Sequence, residues 1–127
     1  MRKKTLDELN RLRPGETHLR PTVPCVLVLD NIRSGLNVGS VFRTADALAV
    51  EKIWLCGITA HPPHREILKT AIGATETVEW SYEESTTDVL RMMKEEGRRI
   101  IGLEQTTESR MLQDVHIDPK DSYALVF

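Results

Sequence analysis

Residues 31–46 read NIRSGLNVGSVFRTAD. They follow an apolar run at 25–29 with the composition of a buried strand, and their second half carries apolar residues at helical spacing. A strand, a polar loop and an amphipathic helix in that order are typical of parallel α/β proteins, which bind ligands beyond the carboxyl ends of their strands. We therefore expect the polar residues of this stretch to lie at a ligand site.

The helix within this stretch has two faces. Its apolar face carries Val38, Val41, Phe42 and Ala45, whereas Ser40 and Arg43 lie on another face. Asn37 is predicted to be the N-cap, and Gly39 should let the backbone pass close to a ligand or a neighbouring strand.

The start of such a helix suits a phosphate, because free N–H groups and the positive end of the dipole lie there. Arg43 could add a fork of donors one turn further on. Alternatively, Arg43 pairs with Asp46 and Asn37 only caps the helix. Spacing alone does not decide between these interpretations.

The composition indicates one ordinary globular domain. The chain has 127 residues, of which 40% are hydrophobic, and a formal net charge of −2. Neither a run long enough to span a membrane nor a signal peptide is evident, so we expect a cytoplasmic protein.

Cys25 and Cys56 lie on separate apolar runs without metal-ligand spacing, which predicts two reduced, buried thiols.

Residues 1–20 are predicted to form an N-terminal extension with a short amphipathic helix. Thr5 and Glu8 have the spacing of a capping box, and leucines at 6, 9 and 12 precede Pro14. Basic residues are concentrated in the first 33 positions, whereas glutamates dominate 76–96. The helix either packs on the domain with a solvated charged face or forms a basic arm of the kind that contacts nucleic acid.

Residues 21–127 alternate apolar runs with helical segments, which predicts βαβ units and a parallel sheet. Strands are expected at 25–29, 52–55, 77–80, 99–103 and 123–127. Helices are expected at 38–48, about 65–72 and about 84–96. No repeat or composition shift indicates a second domain.

The pattern N-x-x-x-x-x-N-x-G-S-x-x-R-T-A-D-A at 31–47 resembles the first signature of the SpoU (TrmH-like) RNA 2′-O-ribose methyltransferases of the SPOUT superfamily. Residues 61–74 resemble the family's segment after the second strand. The chain departs from the pattern at Ala49, where the family commonly has glycine, and we expect a small effect. The resemblance implies a Rossmann-like parallel sheet, a C-terminal trefoil knot, a homodimer and S-adenosylmethionine as cofactor, without a metal.

The resemblance also implies roles for individual residues. Asn37 and Arg43 would line the active site as catalytic residues, with Arg43 activating the ribose hydroxyl. The expected RNA contacts are Asn31, Arg33 and Ser40. The loop containing Leu103, Glu104, Gln105 and Thr106 would hold the cofactor through its backbone, although these residue types also suit a plain surface turn.

The function expected is methyl transfer to a ribose 2′-hydroxyl of RNA. We favour tRNA over rRNA, because a short N-terminal helix is not a large RNA-binding module. The alternative is a non-catalytic RNA-binding relative; an unrelated nucleotide-binding domain is disfavoured by the absence of G-x-G-x-x-G and P-loop patterns.

Two prolines keep His61 and His64 off one helical turn, so we expect loop residues rather than a zinc site.

The sequence ends within an apolar strand at 123–127. In the family this strand continues into the knot. We therefore expect a piece of a longer chain, inactive by itself and weak in cofactor binding.

Overall fold

The computed structural model describes residues 1–5, 7–9 and 20–127. Five parallel strands form one sheet in the order β3-β2-β1-β5-β4. The strands are β1 (Val23–Asp30), β2 (Val50–Cys56), β3 (Trp80–Glu83), β4 (Arg99–Gly102) and β5 (Tyr123–Val126). The α-helices are α1 (Gly35–Ala47), α2 (Arg65–Ala71) and α3 (Thr86–Glu95). The predicted parallel α/β sheet is confirmed.

The helices cover both faces of the sheet. Leu27 and Leu29 of β1 pack in a cluster with α1 and α2, whereas Val26 and Val28 pack with α3 on the opposite face. Near-continuous apolar strands are expected where a parallel sheet is buried on both sides. None of the described helices is long and apolar enough to cross a membrane.

Both thiols are free, as predicted. Cys25 is half-buried beside the α1 and α2 cluster, and Cys56 is buried in the α3 cluster. Burial raises the pKa of both thiols. They therefore behave as small apolar side chains of low reactivity.

The strand order reverses at β1. The chain leaves β1 through α1 toward β2 on one side, while β5 lies on the other side with β4 beyond it. In open α/β sheets, the crevice at such a reversal is the usual ligand site. Because neighbouring strands are about 4.8 Å apart, the loops that follow β1 and β4 begin about 10 Å from each other at one edge.

Two boundary predictions are wrong. The N-cap of α1 is Ser34, whose Oγ accepts from the backbone N–H of Asn37 at 3.1 Å, so Asn37 lies inside the first turn. The third strand begins at Trp80 rather than at 77. Before it, the backbone N–H of Val78 donates to the carbonyl of Ala74 at 2.9 Å, which closes a turn.

Gly39 marks the crossing of α1 and α2. A Cβ at this position would overlap Thr70 Oγ1 and the carbonyl oxygen of Ile67. The predicted close approach is therefore confirmed, but its partner is a helix rather than a ligand or a strand.

Ala49 adopts the left-handed backbone conformation, with φ of 56°. Its carbonyl accepts from the N–H of Val23 at 2.9 Å, which holds the turn between α1 and β2 against the start of β1. Glycine suits this position because only glycine adopts such angles without strain. The departure at Ala49 thus has a structural cost.

The predicted N-terminal helix falls largely outside the described residues, which omit 6 and 10–19. The capping box itself is present: Thr5 N donates to Glu8 Oε2 at 2.7 Å, and Glu8 N donates to Thr5 Oγ1 at 3.4 Å. A short 3₁₀ turn follows at Asp7–Leu9. Hydrogen bonds from Arg2 and Thr5 lower the pKa of Glu8 to about 2.

Candidate active site at the carboxyl edge of the sheet

Asn31 fixes the loop that follows β1. It adopts φ of 52°, and its side-chain Oδ1 accepts from the backbone N–H of Ile58 at 2.9 Å. Its Nδ2 donates to Asp30 Oδ1 at 3.1 Å. The amide therefore ties the loop after β1 to the loop after β2, and its contact with RNA stays a prediction.

Thr59 completes this brace from the interior. Its Oγ1 accepts from the backbone N–H of Ile32 at 3.0 Å and lies 2.7 Å from the carbonyl of Cys56 and 3.2 Å from that of Leu29. The side chain is 2% exposed. Sequence reasoning missed this residue, because nothing near Thr59 in the chain shows that the distant backbone groups of Leu29 and Ile32 converge on it.

The first turns of α1 carry the predicted RNA-contacting residues. The side chains of Arg33 and Asn37 are exposed, and no described residue hydrogen-bonds to either of them. The Oγ of Ser40 donates to the carbonyl of Leu36 at 3.1 Å, so this hydroxyl satisfies the helix backbone. A small residue at Ser40 is thus explained by the helix, and its role toward RNA is untested.

Arg43 does not pair with Asp46. The Asp46 carboxylate instead accepts from Arg20 at 3.0 Å and from the hydroxyl of Thr77 at 2.8 Å. Arg43 is exposed, and no described residue forms an ion pair or hydrogen bond with its guanidinium. The alternative interpretation, in which Arg43 pairs with Asp46, is therefore wrong. The five N–H donors of the Arg43 guanidinium face solvent.

Asn37, Ser40 and Arg43 are spaced along α1 rather than clustered at its tip. At 1.5 Å per residue, Arg43 lies about 9 Å further along the helix axis than Asn37. Together with Arg33 in the preceding loop, these side chains supply amide and guanidinium donors over the span of a nucleotide. Donors of this kind bind phosphate and sugar oxygens.

The loop after β4 lies at the same edge. The N–H of Leu103 donates to the carbonyl of Val126 at 2.8 Å, which extends the pairing of β4 with β5. Beyond it the loop closes on itself: Gln105 N donates to Glu104 Oε1 at 2.9 Å and Thr106 N donates to Ser109 Oγ at 2.8 Å. Two amides predicted to contact the cofactor are therefore occupied by local acceptors.

An open cleft of about 680 Å³ borders this loop. Apolar walls come from Leu103, Leu112 and Val115, and polar groups from Glu104 and Gln105. Apolar walls with a few backbone polar groups are typical of ligand pockets of this size. Three of the four predicted cofactor residues line this cleft, and their contact with S-adenosylmethionine stays a prediction.

The two loop histidines have separate local roles. The Nδ1 of His64 accepts from the backbone N–H of Glu66 at 3.2 Å and caps α2. The ring of His61 stacks on Trp80 with centroids 5.9 Å apart. Over the described residues, no group of three or more His, Cys, Asp or Glu side chains could hold a metal ion.

Solved structures share this fold. An AdoMet-bound rRNA methyltransferase from Sinorhizobium meliloti superimposes with a TM-score of 0.69 and 24% identity over 80% of this chain and 38% of that one. The A. aeolicus TrmH/SpoU tRNA modifying enzyme superimposes with a TM-score of 0.68 and 19% identity over 83% of this chain and 52% of that one.

A curated relative and a family model match the chain at the level of sequence. The 23S rRNA (guanosine-2′-O-)-methyltransferase RlmB of Neisseria meningitidis serogroup B is 34% identical over 103 residues. That match spans 81% of this chain but only 40% of the relative. The model of the SpoU rRNA Methylase family matches residues 24–127. Because this match covers the whole sheet and the polar helix α1, the chain belongs to the SpoU rRNA methylase family.

Proposed function

We propose that the protein containing this chain transfers a methyl group from S-adenosylmethionine to a ribose 2′-hydroxyl of RNA. The observation that carries the proposal is the state of Arg43. Its guanidinium is exposed on the family's signature helix, and the adjacent carboxylate is held by Arg20 and Thr77 instead. An arginine without a partner among the described residues is available to bind an anionic substrate.

The cofactor supplies an electrophilic methyl group on a sulfonium, so neither a metal nor a covalent enzyme intermediate is required. What the chain must do is position the ribose and stabilise negative charge on its oxygen. Arg43 suits charge stabilisation rather than proton abstraction, because a guanidine has a pKa above ~12. Its fork would hold the neighbouring phosphate and the emerging 2′-oxyanion, and the proton leaves through that phosphate or water.

Asn37 would orient the ribose, since its exposed amide can both donate to and accept from hydroxyl groups. The loop with Leu103, Glu104, Gln105 and Thr106 would hold the cofactor. For the two amides that now bond to Glu104 and Ser109, this binding requires the local hydrogen bonds to open.

For the RNA class, we rank ribosomal RNA first, because the relative at 34% identity is a 23S rRNA methyltransferase. Transfer RNA stays the second candidate. We also propose that the whole protein is a cytoplasmic homodimer. Each of these statements concerns the protein that contains this chain. The chain spans about two fifths of the length of the curated relative.

The test uses the full-length protein and RNA from cells that lack its gene. The RNA is separated into ribosomal and transfer fractions and incubated with S-adenosylmethionine carrying a labelled methyl group. We expect label in a 2′-O-methylated nucleoside after digestion, in one fraction and not the other. RNA binding without any methyl transfer would instead support the non-catalytic alternative, and label on a base would contradict the proposed chemistry.

A further inference from the structure

A cluster of rings lies beside the candidate site without a role in the proposed mechanism. The His61 ring lies nearly parallel to Trp80, at 19° and 5.9 Å between centroids, and tilted against Tyr82, at 53° and 5.4 Å. We use the name aromatic shelf for the exposed side chains of Ile58, His61 and Tyr82. The shelf borders an open cleft of about 630 Å³.

Hydrogen bonds tie the shelf to the loops beside it. The hydroxyl of Tyr82 donates to the carbonyl of Gly57 at 2.6 Å, which favours the orientation of the ring toward the cleft. His61 Nδ1 lies 3.1 Å from the carbonyl of Pro62. Nevertheless, Tyr82 is 40% exposed and Ile58 is 61% exposed, which leaves a held apolar surface facing solvent.

The shelf is coupled to the candidate site through Asn31. The backbone N–H of Ile58 is the group that Asn31 Oδ1 binds, so the shelf directly adjoins the loop that leads into α1. That loop carries the exposed Arg33. The shelf is thus an exposed apolar surface next to the loop that connects β1 with α1.

Resting on the proposed function, we propose that the aromatic shelf stacks an unpaired nucleobase of the RNA substrate next to the nucleotide that is methylated. Proteins bind single-stranded RNA by stacking its bases on exposed aromatic side chains, since every base has a π face. Arg33 supplies the neighbouring positive charge for a phosphate. The shelf thus selects RNA whose target lies in an unpaired segment rather than inside a helix.

The test compares Tyr82→Leu with Tyr82→Phe in the full-length protein. Both variants lose the hydrogen bond to Gly57, but only Tyr82→Phe keeps a ring for stacking. The probe is a fluorescent single-stranded RNA of about ten nucleotides, the site size expected for such surfaces. Its dissociation constant is measured by anisotropy, and methyl transfer is measured with the RNA fraction that the wild type modifies.

We expect Tyr82→Leu to weaken probe binding about 5- to 100-fold and to raise KM with little change in kcat, whereas Tyr82→Phe stays within about threefold of wild type. His61→Ala should resemble Tyr82→Leu. Thermal unfolding of each variant identifies any loss of folded protein.

The outcomes separate the two proposals. Equal RNA affinity in wild type, Tyr82→Leu and His61→Ala overturns the shelf, even if methyl transfer proceeds; a shelf that binds another protein would give this result. Equal losses in Tyr82→Leu and Tyr82→Phe overturn it too, because the ring would then act only through its hydroxyl. Weaker binding in Tyr82→Leu alone, in a protein that transfers no methyl group, supports the shelf and contradicts the enzymatic assignment.

Discussion

Arg20 binds Asp46 through a single nitrogen: its Nη1 donates to a carboxylate oxygen at 3.0 Å and to the backbone carbonyl of the same residue at 3.1 Å. The pair joins the segment before β1 to the end of α1. It also removes the only acidic residue of α1 from the reach of Arg43. Asp46, which is part of the signature in sequence, therefore has a structural role, and the donors of Arg43 are left unpaired among the described residues.

We expect Arg43→Ala in the full-length protein to reduce methyl transfer by more than about 100-fold, because charge on the ribose oxygen would lose its fixed donors. Arg43→Lys should fail as well, since a point charge does not reproduce the bidentate fork. The measurement is kcat/KM with labelled cofactor, and thermal unfolding should be unchanged. Arg91→Ala, an exposed arginine on α3, is the control and should keep full activity. If Arg43→Ala keeps kcat/KM within about tenfold of wild type, the residue contributes less than ~1.4 kcal/mol of transition-state stabilisation, which would contradict its proposed catalytic role.

Thr59→Val should lower the free energy of unfolding by about 1–3 kcal/mol, because the partly buried N–H of Ile32 would lose its acceptor. The matched control is Thr87→Val, at an exposed position of α3, which should change stability by less than about 0.5 kcal/mol. Urea unfolding followed by circular dichroism provides the measurement. Equal stabilities of the two variants would show that the loop after β1 does not depend on Thr59.

Gly39→Ala should destabilise the fold by about 1–3 kcal/mol, because the new methyl group meets the backbone of α2 at Ile67 and cannot be accommodated by side-chain rotation alone. Gly102→Ala is the control, since an added Cβ there meets nothing within 4 Å. Both variants are compared by denaturant unfolding. A neutral Gly39→Ala would mean that α1 and α2 can move apart without loss.

Ala49→Gly should stabilise the fold by about 0.5–1 kcal/mol. The gain is the relief of left-handed strain at φ of 56°, reduced by the larger chain entropy of glycine in the unfolded state. Ala47→Gly, at the last residue of α1, is the opposite control and should destabilise. If Ala49→Gly instead lowers the melting temperature, the turn does not hold this backbone conformation in solution.

The sheet could be predicted because short apolar runs in the sequence indicate buried strands, as at Leu27 and Leu29. A buried residue does not always lie in a strand, however. Val78 is 3% exposed and packs in the core, yet it lies in the turn that precedes β3. The strand was thus predicted too early, since burial of Val78 comes from tertiary packing that no local pattern encodes.

The start of α1 shows a second kind of error. Ser34 and Asn37 are both good N-caps, and only the backbone conformation at Ser34 decides between them. For the candidate site, exposed polar residues such as Arg43 could be singled out by resemblance, and their role stays a prediction. The brace formed by Asn31 and Thr59 could not, because it depends on which backbone groups of distant segments meet.

The central position of β1 has a consequence for how the chain folds. Its partner β2 follows closely in sequence, but its other partner, β5, can pair with it only after the three intervening strands and three helices have been made, as in the register Val26 with Ala124. Contacts between residues so far apart form slowly, because a long loop must close first. During synthesis β1 therefore has one hydrogen-bonding edge open, at risk of pairing with another molecule, until β5 has been made.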